Sequence, residues 1–571
     1  MRLTTEQNKI LNGDEGKTKQ KAIRLLIDLG EAAKADSLVP VVSAHVSGVS
    51  PLTGGEGLIT FLEDLVRDKD GTISVPTTLN AAGCDRSKFE EMDIPVKDYV
   101  EKQQQILDAY EELGITLSLS CTPYENITRK GKASWAESNA VCFANSYSEL
   151  RTNRESGLSA LATALCGFTP EYGLLLDKHR NPNIKVNISC ELNEPVDYSI
   201  LGDWIGKQIK PEWKLKYGPI PHIYGIKNLN YESKKALTAA SANYGCPLLF
   251  IESFTNEPKI KKYQAELNFN QADLEKRYAE LAPKTSVNLV TIGCPQASLD
   301  EIERTAKLLS GKKIPEKRLW VFTSSENFDK AKLKGYIRRI EKSGGMVLRE
   351  TCPEVVHYNH KKVKHILTNS MKAEHYLKSG LNSINTSVAR LDECIKHAEN
   401  KNLIKKETIR KKIVTQKQNT SNKSLKTEKI EIIGKGLKSQ ENWNVEGEAL
   451  VTDVPITFLG FVNRETGVVE EEGHPLNGLS IANKILIFPK GSGSTVAPYV
   501  LLGLFYNGNG PKAIINTDLD QQTIPACSLL AKPYAHSFEK NPCIEINSRD
   551  SIRLTLKNRN VTLKVIERYV S

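Results

Sequence analysis

Ser118-Leu119-Ser120-Cys121-Thr122-Pro123-Tyr124-Glu125 continues an apolar alternating run, Ile115 to Ser120, whose period of two predicts a buried strand ending at Cys121. Pro123 has no amide donor and opposes any extension of a ladder. The arrangement recurs twice: Val287–Ile292 runs into Gly293-Cys294-Pro295, and Met346–Arg349 into Thr351-Cys352-Pro353. Ligands in open α/β sheets collect beyond the carboxyl ends of the strands, so three cysteines in that position point to one shared site. Three thiolates can hold an iron–sulfur cluster and leave one iron without a protein ligand. A free cysteine is most often a small buried hydrophobe, and the chain has eleven. The repeated strand–Cys–Pro context lifts Cys121, Cys294 and Cys352 above the others. No C-x-x-C pair occurs, which removes the usual signature of zinc ribbons and thioredoxin chemistry.

The chain's 571 residues predict more than one domain. The first residues carry no apolar signal region, no run reaches the length of a membrane span, and the cysteine count is odd; these features predict reduced thiols in a cytoplasmic protein. The formal charge of +10 is concentrated: residues 401–430 hold ten Lys/Arg against Glu407 and Glu428, in a stretch rich in Asn, Gln, Ser and Thr. That composition reads as a solvated linker, and no aromatic residues interleave to stack bases, so neither nucleic acid nor a membrane is expected as a partner.

Before the first cysteine, residues 3–36 read as a helix and Leu38–Val46 as a strand entering His45-Val46-Ser47-Gly48. The Gly-rich Gly54-Gly55-Glu56-Gly57 precedes a helix, Leu58–Val66; Thr72–Pro76 reads as a strand entering Thr77-Thr78-Leu79-Asn80, and Lys97–Leu113 as a helix. This alternation predicts parallel α/β units. Ser134–Glu155 is the densest polar patch; it reads equally as a capped surface helix or as a pocket lining, with Arg154 suited to a carboxylate or phosphate. His357, His360 and His365 lie among lysines and read as a basic surface rather than a metal site. Residues 385–400 read as a last helix. Further on, the strand Ile485–Lys490, then Gly491-Ser492-Gly493-Ser494-Thr495, then the helix Val496–Leu504 make a turn able to face an anion; taken alone it favours an ordinary turn with Ser494 as N-cap.

Together these stretches resemble the aconitase X family. The resemblance rests on His45-Val46-Ser47-Gly48, Thr77-Thr78-Leu79-Asn80, Ser120–Tyr124, Trp135-Ala136-Glu137-Ser138, Thr152-Asn153-Arg154-Glu155, Ile292–Pro295 and Thr351-Cys352-Pro353. In the last third it rests on Phe488–Gly491, Gly493-Ser494-Thr495 and Ala513-Ile514-Ile515-Asn516. It implies an α/β protein: a large multi-layer aconitase-like catalytic region over 1–395, a basic polar linker over 396–431, and a small β-rich swivelling domain over 432–571. Asn153-Arg154-Glu155-Ser156-Gly157 departs from the family's Asn-Arg-Glu-Gly-Gly, Ala497-Pro498 replaces a Gly-Ser after the serine, and Cys84 is read as structural.

The resemblance further implies a hydro-lyase whose cluster, most simply [4Fe-4S], is held by Cys121, Cys294 and Cys352. Ser494 falls on the family's catalytic serine, which overrides the N-cap reading. His45, Ser47, Gly48, Thr78, Asn80, Glu137, Ser138, Asn153, Arg154, Gly493 and Thr495 fall on the substrate pocket, with the small domain supplied in cis. The implied substrate is a hydroxy acid. The residues around His45, Thr77 and Lys490 favour (R)-mevalonate 5-phosphate, dehydrated to trans-anhydromevalonate 5-phosphate in a modified mevalonate pathway to isoprenoids. The fused chain favours cis-3-hydroxy-L-proline instead. A third reading is a non-catalytic iron–sulfur or metabolite-binding protein.

Overall fold

The computed structural model describes residues 1–69, 71–126, 129–210, 213, 215–259, 261–379, 381–399 and 430–569. The predicted linker lies almost wholly outside them; the helix Leu391–Glu399 carries the described chain past the boundary expected at 395.

Three wholly parallel sheets organise the large region, as the strand–helix alternation predicts. A three-stranded sheet sets Ala44–Val46 between Thr77–Leu79 and Ser134–Trp135. A four-stranded sheet orders Phe250–Ile251, Pro221–Tyr224, Ile184–Ile188 and Ala265–Phe269. A five-stranded sheet orders Met346–Arg349, Leu319–Thr323, Leu289–Ala297, His365–Thr368 and Asn385–Val388. In the last, successive strands step to one side of Leu289–Ala297 and then return on its other side at His365–Thr368. The crevice at that switch opens beside Ile292 and Asn369.

Several predicted elements differ in the structure. The helix over 3–36 is two, Thr5–Asn12 and Lys17–Ala33, separated by Gly13 and Gly16 in left-handed conformations (φ 92° and 95°). Leu38–Val46 divides at Pro40, which lacks a donor, into Leu38–Pro40, paired with Phe168–Pro170, and Ala44–Val46. The strand expected at Thr72–Pro76 forms instead at Thr77–Leu79. Ile115–Ser120 lies alongside that strand through Thr116 and Ser120 N–H bonds to Thr77 and Leu79 carbonyls, but it is not a regular strand. Leu119 sits at φ 46°, and Ser118 Oγ both accepts from Leu79 N–H (2.9 Å) and donates to Leu79 O (2.8 Å), replacing a backbone rung. Cys294 lies within a strand rather than beyond it; register is lost between Ile292 and Ala297, so Gly293–Gln296 leaves the ladder. His365 is buried in its strand and bonded to Thr285 and Ser387 hydroxyls (both 2.8 Å), not on a solvated basic surface.

The last region closes into a seven-stranded barrel in which Trp443–Val451, Ile485–Phe488, Ala513–Asn516 and Tyr534–His536 run parallel and the remaining pairs antiparallel. Its helix Ala497–Tyr506 lies on the Gly-rich helix Pro51–Val66, and one apolar core runs through both, from Leu58 and Leu62 to Phe488 and Val500. A Cβ on Gly57 would come within 2.6 Å of Gly503 backbone atoms, so glycine is required for this approach. Tyr499, fully buried, fills the space left by Gly48 and Gly157, where a Cβ would meet its ring or hydroxyl at 2.1 and 2.7 Å. Burying one such side chain stabilises the seam by roughly 2–3 kcal/mol. Among the described residues no helix is long and apolar enough to cross a membrane.

A polar latch adds to the seam. Asp28 of the helix Lys17–Ala33 is buried and accepts from Ser439 N–H (2.8 Å), Ser439 Oγ and Ser528 Oγ (2.6 Å). One turn on, Glu31 meets Arg559 (2.9 Å), Lys438 (3.4 Å) and the Met1 ammonium (2.8 Å). Burial opposes the Glu31 charge, but the Met1 ammonium and Arg559 prevail and hold its carboxyl down at about 2. A depressed carboxyl adds stability above its unfolded value, near 4.5, and loses it as pH falls through about 2. Glu31→Gln should therefore cost about 1 kcal/mol near neutral pH, discounted for partial exposure, and nothing below pH 2. Paired thermal melts across that range check the convergence.

Candidate functional site

The three predicted cysteines come near one another, Cys121 and Cys352 buried and Cys294 half-buried on its interrupted strand, and Gln296 ties their segments together. Its Nε2 donates to Leu119 O (3.2 Å) and Thr351 O (3.0 Å), its Oε1 accepts from Cys121 N–H (3.2 Å), and its own N–H points at Cys121 Sγ (3.4 Å). Cys294 Sγ donates to Glu354 Oε1 (2.8 Å). Burial pushes all three thiols up, Cys121 to about 12. The Glu354 carboxylate adds to the effect on Cys294 and Cys352, and Cys352 lies close enough to both other thiols to interact electrostatically with them. Among the described residues no three His, Cys, Asp or Glu side chains gather as ligands of a single metal ion. Cys84, by contrast, packs with Met92 and Tyr99 in an apolar cluster, the structural role expected of it.

At the centre stands Lys372, which pattern reading passed over. It opens the short helix Met371–Lys378 and is 3% exposed. Its ammonium donates to Glu137 Oε1 (2.9 Å) and Asn139 Oδ1 (2.6 Å) and lies 3.5 Å from Glu354 Oε1. Burial opposes its charge, yet Glu137, Glu354 and the cysteines raise it well above the ordinary lysine value. Asn139 passes the contact on, donating Nδ2 to Cys121 O (2.9 Å). Glu137 caps the helix Ser138–Tyr147 and accepts from Asn80 Nδ2 (2.7 Å) through its other oxygen; Lys372 keeps it ionised against the burial that opposes its charge. A lysine before Ala-Glu in an amphipathic helix carries no local mark of such a role; only its position beside the cysteine loops reveals it.

The other predicted residues divide into pocket and scaffold. His45 is fully buried and bonds Thr78 Oγ1 through Nδ1 (2.8 Å); burial lowers it to about 4, so its ring is neutral near pH 7. His45 Nε2, Asn80 Oδ1 and Thr351 Oγ1 are buried without a hydrogen-bond partner among the described residues, as polar atoms that await a ligand would be. Gly48 adopts φ 96° and its carbonyl accepts from Tyr110 OH (2.8 Å). Asn153 serves as scaffold: its amide is committed to Tyr172 O (3.2 Å) and Leu174 N–H (2.8 Å).

Ser494 lies on a small-domain loop held at almost every residue. Asp520 accepts from Gly491 N–H (2.7 Å), Thr457 bonds Ser492 Oγ (2.7 Å), and Arg154 Nη2 donates to Gly493 O. Thr495 O accepts from Gly157 N–H (2.9 Å), and its hydroxyl meets Ser47 Oγ (3.2 Å). Gly493 turns at φ 79°, which only glycine adopts without strain. Ser494 is no N-cap: Val496 takes that position, without a side-chain cap bond, and Ser494 Oγ makes only a 3.4 Å contact with Val496 N–H. Arg154, expected to hold a substrate carboxylate, spends Nε on Ser138 Oγ (3.1 Å) and Nη2 across the seam. The two sequence departures are explained locally. Ser156 caps the helix Gly157–Cys166, and Pro498 falls in the first helical turn, where its missing N–H costs nothing.

Residues 1–178, 287–400 and 438–563 match the aconitase X first, third and swivel domains respectively. The large subunit of phosphomevalonate dehydratase from Methanosarcina mazei is 35% identical over 409 residues, covering 70% of this chain and 97% of that protein. The small subunit of phosphomevalonate dehydratase from Methanosarcina acetivorans is 40% identical over 109 residues, 19% of this chain and 76% of that protein. The crystal structure of holo-form Thermococcus kodakaraensis aconitase X superposes with a TM-score of 0.63 at 34% identity, covering 70% of this chain and all of that one.

Arg154 should act as a clamp on the serine loop. Arg154→Met is expected to speed backbone hydrogen exchange at 491–497 at least tenfold while leaving exchange in the barrel strands unchanged, as read by mass spectrometry.

Proposed function

This chain belongs to the aconitase X family of hydro-lyases, and from that premise we propose that it dehydrates (R)-mevalonate 5-phosphate to trans-anhydromevalonate 5-phosphate in a modified, cytoplasmic mevalonate route to isoprenoids. The observation that carries this reading is the joining of two likenesses in one chain. The part similar to a phosphomevalonate dehydratase large subunit supplies the three cysteines, and the part similar to a small subunit supplies Ser494, whose neighbours Gly493 and Thr495 bond Arg154 and Ser47 of the large region. In this reading fusion provides in cis what the relatives divide between subunits.

Cys121, Cys294 and Cys352 would hold an iron–sulfur cluster, [4Fe-4S] in this reading. The donor set supports it: three thiols whose segments Gln296 joins, and an ammonium, Lys372, that favours their ionised forms. When bound, such a cluster supplies a Lewis-acidic iron for the substrate hydroxyl.

The chain's own groups do the remainder. Ser494 Oγ, as its alkoxide, takes the proton beside the substrate carboxylate; the released electron pair forms the carbon–carbon double bond as the carbon–oxygen bond breaks, and the departing hydroxide takes up one proton, so that water leaves and Oγ returns to its starting state. The rigidly held Gly491–Thr495 loop keeps Oγ in one place, and Arg154 beside it offers positive charge to the carboxylate. Neutral His45 and Asn80, each with an unpartnered buried atom, complete the polar wall and orient the substrate. The apolar seam around Tyr499 excludes water from one side.

After anaerobic reconstitution, mevalonate 5-phosphate should turn over and cis-3-hydroxy-L-proline should not; the reverse result would overturn the substrate assignment. Ser494→Ala should retain the brown absorbance and lose roughly 10²–10⁴ in kcat. Wild-type turnover by that variant would overturn the assignment of the base.

A further inference from the structure

Lys372 is buried, and its donors face inward. Its ammonium meets Glu137 (2.9 Å), Asn139 (2.6 Å) and Glu354 (3.5 Å), and the Tyr376 ring centroid lies 6.0 Å away. With its N–H bonds so committed it is not free to protonate a substrate. Its partners, however, lead to two of the three cysteine loops. Asn139 continues to Cys121 O (2.9 Å), and Glu354 accepts from Cys294 Sγ (2.8 Å). Two buried carboxylates and three cysteines thus surround one ammonium.

We infer that Lys372 is the positioning residue of the cysteine site: its fixed charge balances the anionic centre that three thiolates would create, and its hydrogen bonds set the Cys121 and Cys294 loops. The inference rests on the proposal that those cysteines hold an iron–sulfur cluster. Ionising three thiols in a buried pocket adds negative charge beside Glu137 and Glu354, and such charge is tolerated in a low-dielectric interior only with a compensating cation. The nearby net charge also sets how readily a cluster accepts an electron. A lysine serving only to pack the helix Met371–Lys378 would influence neither property.

The test measures cluster content and reduction potential rather than turnover. Lys372→Met alone leaves Glu137 buried and unpaired, so Lys372→Met/Glu137→Gln is made as well, removing the cation together with one of its carboxylates. Each variant is reconstituted anaerobically with iron and sulfide beside wild type and a Cys121→Ser control. Folding is confirmed by circular dichroism, bound iron and sulfide are counted, and the potential is read by EPR-monitored titration. The expected result is that the folded double variant, which loses the ammonium's hydrogen bonds but leaves the nearby net charge unchanged, binds less than half the wild-type iron and sulfide, and that the residual cluster of Lys372→Met, which loses a positive charge, has a lower potential. Lys372→Arg, which keeps the charge, should load close to wild type. A folded double variant with wild-type content, or a Lys372→Met cluster at the wild-type potential, would overturn the inference, as would a Lys372→Arg protein as depleted as the double variant. Wild type that binds no more iron than the Cys121→Ser control would overturn the cluster reading and this inference with it.

Discussion

The site depends on one close approach, the small domain's helix Ala497–Tyr506 lying against the Gly-rich helix Pro51–Val66. Gly57 and Gly503 allow the two backbones to come together, and Tyr499 fills the hollows at Gly48 and Gly157. Side chains at those glycines would hold the helices apart, and the Gly491–Thr495 loop would lose Arg154, Gly157 and Ser47 as partners. Ser494 is therefore positioned by packing well away from itself. Its own hydroxyl is among the least committed polar groups of the loop.

Charge is the second organising constraint. A buried carboxylate or ammonium is costly alone, and several here are offset by an opposite charge. Glu137 and Glu354 flank Lys372; Glu31 joins Arg559 and the amino terminus across the domain seam. Asp28 has no such counterion among the described residues. It is buried with hydroxyl and amide donors, so burial raises its carboxyl value. The seam thus has an apolar side near the pocket and a polar side near the amino terminus.

These constraints bear on why one chain can carry both parts. The seam is built from the large region's own helices and the barrel's own helix, with no described contribution from residues between them. The aconitase X geometry then follows from complementary surfaces.

Local pattern was enough for much of the fold: parallel α/β alternation, the strand Met346–Arg349 running into Cys352, and the strand–Gly–helix passage into Ser494. Period-two alternation, donor-free prolines and glycine turns are properties of a few adjacent residues, so they can be read in order along the chain. The irregular backbone at Leu119 and the departure of Gly293–Gln296 from its ladder could not be read, because each answers a partner far away in sequence. The same holds for the site. The three cysteines and Ser494 were singled out by repeated context and family resemblance. Arg154's clamp across the seam, Asn153's service as scaffold, Gln296's joining of three loops and the burial of Lys372 were decided only when separate elements packed together. A side chain's chemistry is written in the sequence; its dielectric surroundings and hydrogen-bond partners are set by tertiary structure alone.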